Sequence, residues 1–236
     1  MGLMEVTQLL QEKLFLDVPP VGMAFLEEPP EGALVMGKEP PSFCSLWRWG
    51  EAGLFYAPAG LHLGCLVGGL VSGVPLSGDQ MTEVRQLMEE MCQAEDLPPD
   101  DVTTLPRVTK PWNGVVYGPL WRFPLEPDLA LMWLTIVQAG VLQDVAGKVL
   151  WRGNPEGAVF ARPACSVLAI AMDRDKPALS LGCVGMREYT KMPPELCLLA
   201  VPGAQLPRIE EALRGLDNPQ ERIDSYLKKL RAAGTG

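Results

Sequence analysis

Four cysteines, Cys44, Cys65, Cys165 and Cys183, stand in two matching pairs and are the residues of this chain best suited to chemistry. Each first cysteine opens Cys-Ser and an apolar residue, as Cys44-Ser45-Leu46 and Cys165-Ser166-Val167. Each second one closes Leu-Gly-Cys, as Leu63-Gly64-Cys65 and Leu181-Gly182-Cys183. Upstream of both pairs runs Pro-Glu-Gly-Ala, at Pro30 to Ala33 and again at Pro155 to Ala158. The separations are close, 65 − 44 = 21 positions and 183 − 165 = 18. A divergent internal duplication would fold into two similar lobes about a pseudo-twofold axis and could bring four thiols to one place. Four thiolates on one centre can hold zinc or an iron–sulfur cluster. No Cys-x-x-Cys occurs to supply two ligands from one short loop, so the same residues also read as small buried hydrophobes at tight turns.

His62 is the only histidine and lies three residues before Cys65. On a helix that spacing puts both side chains on one face, as two ligands or as a base beside a thiol; in a loop it does not. With one imidazole, two-histidine zinc motifs and the two-histidine, one-carboxylate iron site are excluded within a single chain. Cys183 begins Cys183-Val184-Gly185-Met186-Arg187, where Gly185 permits close backbone approach and Arg187 can stabilise a thiolate or bind an anion, or pair with a surface acid. The glycines around Gly64, Gly68 and Gly69 are not followed by Gly-Lys-Ser/Thr, and no Gly-x-Gly-x-x-Gly fits, so nucleotide binding by those routes is disfavoured. Trp47 and Trp49 read as pocket-lining or core residues.

The elements that must position these residues are legible in part. Leu9, Leu10, Leu14 and Phe15 give Thr7 to Leu16 the stripe of a short helix, halted by Pro19-Pro20. Val21 to Leu26 and Leu129 to Ile136 are continuous apolar runs of buried-strand type at matching places upstream of the two Pro-Glu-Gly-Ala segments. Asp79 to Cys92 sets Met81, Val84, Leu87, Met88, Met91 and Cys92 on one helical stripe, with an acidic exposed loop expected over 93–101. Asn113-Gly114 before Val115-Val116-Tyr117 predicts a hairpin. Leu196 to Val201 reads as a strand and Leu206 to Leu216 as a helix. Asn218-Pro219 opens a last helix with Ile223, Tyr226, Leu227 and Leu230 as its stripe.

Composition narrows the function classes. The chain has 236 residues, 47% of them hydrophobic and 21% charged, as in an ordinary globular protein that needs no disulfide staples. A net charge of −9 and the absence of any basic run longer than Lys228-Lys229 argue against nucleic acid. No apolar stretch reaches the roughly 20 residues of a membrane span, and Met1 to Val6 has no leader pattern, so a cytoplasmic protein with no membrane partner is expected. In a reducing compartment six cysteines point to free, metal-bound or redox-active thiols rather than structural pairs.

Pro20-Val21-Gly22-Met23, Cys44, Gly64-Cys65, Arg162-Pro163-Ala164-Cys165 and Ser180-Leu181-Gly182-Cys183-Val184-Gly185-Met186-Arg187 together resemble an archaeal and bacterial family, domain-of-unknown-function family 169. The resemblance runs from about Leu16 to Leu216, and its most specific piece is Ser-x-Gly-Cys-x-Gly-x-Arg, matched by Ser180, Gly182, Cys183, Gly185 and Arg187. It implies one intact domain with the cysteine segments as family hallmarks, and it implies no reaction.

The sequence thus predicts a single α+β domain over 1–236, built from two pseudo-repeated lobes at about 17–118 and 124–216. A mixed β-sheet, flanking helices and a C-terminal helix over 218–233 complete it. The expected function is that of a cysteine-ligated metal protein, holding zinc or an iron–sulfur cluster on Cys44, Cys65, Cys165 and Cys183. One alternative is a metal-free module binding a small molecule or anion near Arg187, Gly185 and His62; the other is a reactive-thiol enzyme using Cys183 or Cys65. A small-molecule ligand and a homodimer are both compatible with the sequence.

Overall fold

The computed structural model describes residues 2–94, 102–146, 163–216 and 219–233. At its centre β1 (Val21–Leu26) lies between β3 (Gly114–Pro119) and β4 (Leu129–Thr135). β2 (Phe55–Pro58) pairs outside β3, while β6 (Leu196–Pro202) and then β5 (Ala178–Ser180) extend the other side. The order of the six-stranded sheet is therefore β2-β3-β1-β4-β6-β5. Every strand pair is antiparallel, and the parallel component reduces to an isolated bridge between Val35 and Tyr56. The protein is a single α+β domain.

The same succession of elements occurs twice. In the first half β1 is followed by α2 (Ser45–Ala52), β2, α3 (Leu66–Val71) and β3, with a further helix over 78–94 inserted before β3. In the second, β4 leads to α6 (Ser166–Arg174), β5, α7 (Val184–Thr190) and β6, with a further helix over 136–146 inserted after β4. Replacing β1, β2 and β3 by β4, β5 and β6 reproduces the sheet order read backwards, which is the arrangement a twofold axis between β1 and β4 would generate. The detail repeats as well. Both β3 and β6 end in proline and run into a single 3-10 turn, Leu120–Arg122 and Gly203–Gln205. Leu120 N–H donates to Pro20 O at 2.8 Å, as Gly203 N–H donates to Asp128 O at 2.9 Å.

Strand alternation sends side chains to both faces of this sheet, and both are covered. Leu129, Leu131 and Trp133 of β4 join Val21, Met23, Phe25, Val115 and Tyr117 in one core, beneath α2, α3, α6, α7 and α4 (Gly78–Ala94). Ala130, Met132 and Leu134, the intervening residues, pack with Leu199 and Val201 under α1 (Leu3–Leu14), α5 (Ile136–Ala146) and α8 (Leu206–Arg214). The four helices that follow the four cysteines thus share one face.

Local signals explain the helix starts. Ser77 and Gln80 exchange side-chain-to-backbone bonds of 2.9 and 3.2 Å, a reciprocal cap that opens α4, and Thr135 and Gln138 do the same for α5 at 2.7 and 3.2 Å. α1 begins at Leu3, earlier than its stripe suggested, and stops where Phe15 turns left-handed at φ 54°. The last helix, α9 (Pro219–Ala233), forms as expected, but Tyr226, Leu227 and Leu230 are exposed rather than packed.

One expectation is overturned. Asn113-Gly114 closes no hairpin, because β3 pairs with β1 and β2, neither of which directly adjoins it in sequence. Asn113 instead bonds back to Leu26 O and Glu27 O, and Gly114 is required because a Cβ there would lie 2.2 Å from the Tyr56 ring. The second Pro-Glu-Gly-Ala segment, Arg162, Asn218, the side chain of Ile223 and most of the acidic 93–101 loop lie outside the described residues.

Candidate functional site

Each of the four repeated cysteines is the residue immediately before a helix: Cys44 before α2, Cys65 before α3, Cys165 before α6 and Cys183 before α7. The two halves use matching backbone conformations. Cys44 and Cys165 are already helical, at φ −66°, ψ −16° and φ −61°, ψ −20°. Cys65 and Cys183 are extended, at φ −139°, ψ 112° and φ −100°, ψ 166°. An extended residue at a helix start aims its side chain back over the free amides of the first turn. The Cys183 sulfur accepts the Met186 N–H at 3.4 Å, and the Cys65 sulfur accepts from the Gly68 and Val67 amides.

All four sulfur-bearing residues line one cavity of about 310 Å³, whose wall also includes Trp47, Gly68, Met91, Gly185 and Tyr189. The lining residues described carry no charged side chain. The thiols are near enough that each one's negative charge, were it ionised, would raise the pKa of its neighbours; this repulsion links every pair among the four. Burial is the larger influence. It pushes the Cys44 thiol up to about 12 and raises Cys65 and Cys165 as well, so these groups are neutral thiols unless a cation compensates their charge. Ser42 partly opposes that for Cys44 and Cys65; its hydroxyl stands 3.5 Å from Cys44 Sγ. Among the described residues, no three His, Cys, Asp or Glu side chains are grouped so as to hold an ion as they stand.

Three buried donors in these same segments have no hydrogen-bond partner: Ser45 Oγ, Ser166 Oγ and Trp47 Nε1. The two serines are equivalent residues of the repeat, each directly after its cysteine. Trp47 lines the cavity itself. Buried polar atoms without partners are costly, though neither serine lines the cavity.

The remaining sequence candidates divide. Gly185 is on the cavity wall. His62 is not: it lies in the 3-10 turn Ala59–Gly64, fully buried, with Nδ1 3.1 Å from Pro58 O and Nε2 2.9 Å from Tyr117 Oη. Its ring sits among Phe43, Trp112 and Tyr117 and its pKa falls to about 4, chiefly through burial. The helical spacing that would pair it with Cys65 does not arise, because the turn ends at Gly64 and Cys65 leaves it in an extended conformation. Arg187 points its guanidinium at three backbone carbonyls, Pro193 O and Leu196 O at 3.1 Å each and Leu181 O, so it clamps α7 to the start of β6. Cys197 is buried in β6 with its thiol on Leu134 O at 3.0 Å, and Cys92 is half-buried on α4. Ser42, Met91 and Tyr189 were not legible as site residues; only the place of Ser42, two residues before Cys44, could have marked it.

Residues 9–212 match the sequence profile of domain-of-unknown-function family 169, described as an uncharacterised ArCR. The chain belongs to this family. The chain is also similar to the uncharacterised protein MJ0308 of the archaeon Methanocaldococcus jannaschii, 27% identical over 217 residues that make up 86% of this chain and 90% of that one. No solved structure matches the chain. The family match covers all four cysteine segments. Among the described residues no helix is long and apolar enough to cross a membrane.

Proposed function

We propose that this protein holds a metal centre on Cys44, Cys65, Cys165 and Cys183. The observation that carries this reading is that four sulfurs from equivalent places in two halves line a single cavity, although they are far apart in sequence. A buried cation would reverse the effect of burial on the thiols by favouring their ionised form, and the amides already directed at Cys65 and Cys183 would stabilise thiolate ligands. Zinc and iron–sulfur clusters are the centres that take four thiolates. All six cysteines are free thiols, which fits a reducing, cytoplasmic setting. The test is metal analysis of the native protein beside Cys65→Ser and Cys183→Ser: bound metal that both variants lose supports the proposal, and metal content equal in all three rules it out.

One observation favours a second reading. The cavity wall is apolar and burial keeps Cys44, Cys65 and Cys165 as neutral thiols without a cation, so an uncharged small molecule would also fit there. An anion would not, since Arg187 is turned to backbone carbonyls. A thermal-shift screen of uncharged metabolites separates the two readings: a stabilising hit on metal-free protein supports this one, and no hit counts against it. A thiol nucleophile is the least supported of the alternatives, because burial raises Cys65 and His62 is engaged elsewhere.

A further inference from the structure

The reading just given leaves open which centre the four sulfurs hold. We infer that it is a cubane iron–sulfur cluster rather than a single zinc ion, an inference that rests on the metal-centre reading.

Size and donors distinguish the two centres. A tetrahedral zinc site with sulfur at about 2.3 Å draws its four thiolates to within about 3.8 Å of one another. Here no three candidate ligands among the described residues are grouped to hold one ion, yet all four cysteines surround the same cavity. Its volume of about 310 Å³ is roughly ten times the share of one water molecule in the liquid, far more space than a bare ion occupies. A cubane fills such a space and spreads its thiolates to the corners of a larger tetrahedron.

The donors agree. Iron–sulfur clusters accept N–H bonds on both cysteinyl and inorganic sulfur, and those bonds help to set their potential. The amides on Cys65 and Cys183 supply the first kind.

The experiment is anaerobic purification of the full chain, and in parallel its reconstitution with ferrous iron and sulfide, followed by iron, zinc and acid-labile sulfide analysis. The inference expects about four iron and about four sulfide per chain. It expects this content to survive in Cys92→Ser and Cys197→Ser, and to fall by at least half in Cys44→Ser or Cys165→Ser protein that still melts cooperatively. About one zinc per chain without sulfide, or about two iron with two sulfide, overturns the cubane and leaves the four-cysteine metal centre standing. Wild-type protein that retains no metal after either treatment overturns both.

Discussion

Cys65 and Cys183 occupy the same position in the two halves of the fold: each is the extended residue before a short helix, and each sulfur accepts an amide from that helix's first turn. If they serve one centre, their loss is equivalent. Cys65→Ser and Cys183→Ser are each expected to abolish most of the bound metal, and the double variant to be no worse than either single one. Cys197→Ser, whose thiol is bonded to Leu134 O on the opposite face of the sheet, should keep its full metal content. Metal analysis of the four proteins side by side makes the comparison.

The buried His62 predicts a pH dependence of stability. Its pKa is about 4 in the folded protein against an ordinary 6.5, so the unfolded chain takes up the proton first. Stability is therefore fully present above pH 6.5 and is lost as the pH falls toward 4, by about 3 kcal/mol for this group. Tyr117, its hydrogen-bonded neighbour, is pushed well above its ordinary value and does not titrate in that window. Urea unfolding between pH 7 and pH 4 should show this slope in the native protein and a flatter one in His62→Gln.

Gly73 is fixed by backbone and by space. Its φ is 88°, and a Cβ would lie 2.3 Å from Val108 O, next to the bond by which Val108 N–H reaches Val71 O at 2.8 Å. Gly73→Ala should lower stability by about 2 kcal/mol or more through strain and displacement of that chain segment. Gly185 is the control: it lies within α7 with no atom within 4 Å of an added Cβ, and Gly185→Ala should be neutral or slightly stabilising. Thermal melts of the two variants check the contrast.

Asp128 ties the two halves together. Its Oδ2 accepts the Phe25 amide at 2.7 Å, its N–H donates to Met23 O at 2.8 Å, and its carbonyl accepts Gly203 N–H. Asp128→Ala should cost about 2 kcal/mol, the range for a hydrogen bond to a charged group. Lys110→Ala removes only the half-exposed ion pair to the same carboxylate and should cost under about 1 kcal/mol. Equal losses in denaturant titrations would contradict this account of Asp128.

The sheet was readable where apolar runs were long. Val21 to Leu26 and Leu196 to Val201 became β1 and β6 nearly residue for residue, because strands buried on both faces need no alternation. Asn113-Gly114 misled because a turn dipeptide says nothing of which strand lies alongside, and here the partners come from elsewhere in the chain. That the four cysteines come to one cavity was legible because the repeat states their equivalence twice. His62 and Arg187 were not, since their roles depend on Tyr117 and on the carbonyls around β6, contacts that exist only after folding.

The most direct test of the central claim is native mass spectrometry of protein purified without oxygen and without a histidine tag, beside a Cys44→Ser, Cys65→Ser, Cys165→Ser, Cys183→Ser variant. The account predicts a metal-dependent mass increment on the native chain that is missing from the variant. A native chain at its bare polypeptide mass, still folded and unchanged after exposure to iron with sulfide or to zinc, would contradict it.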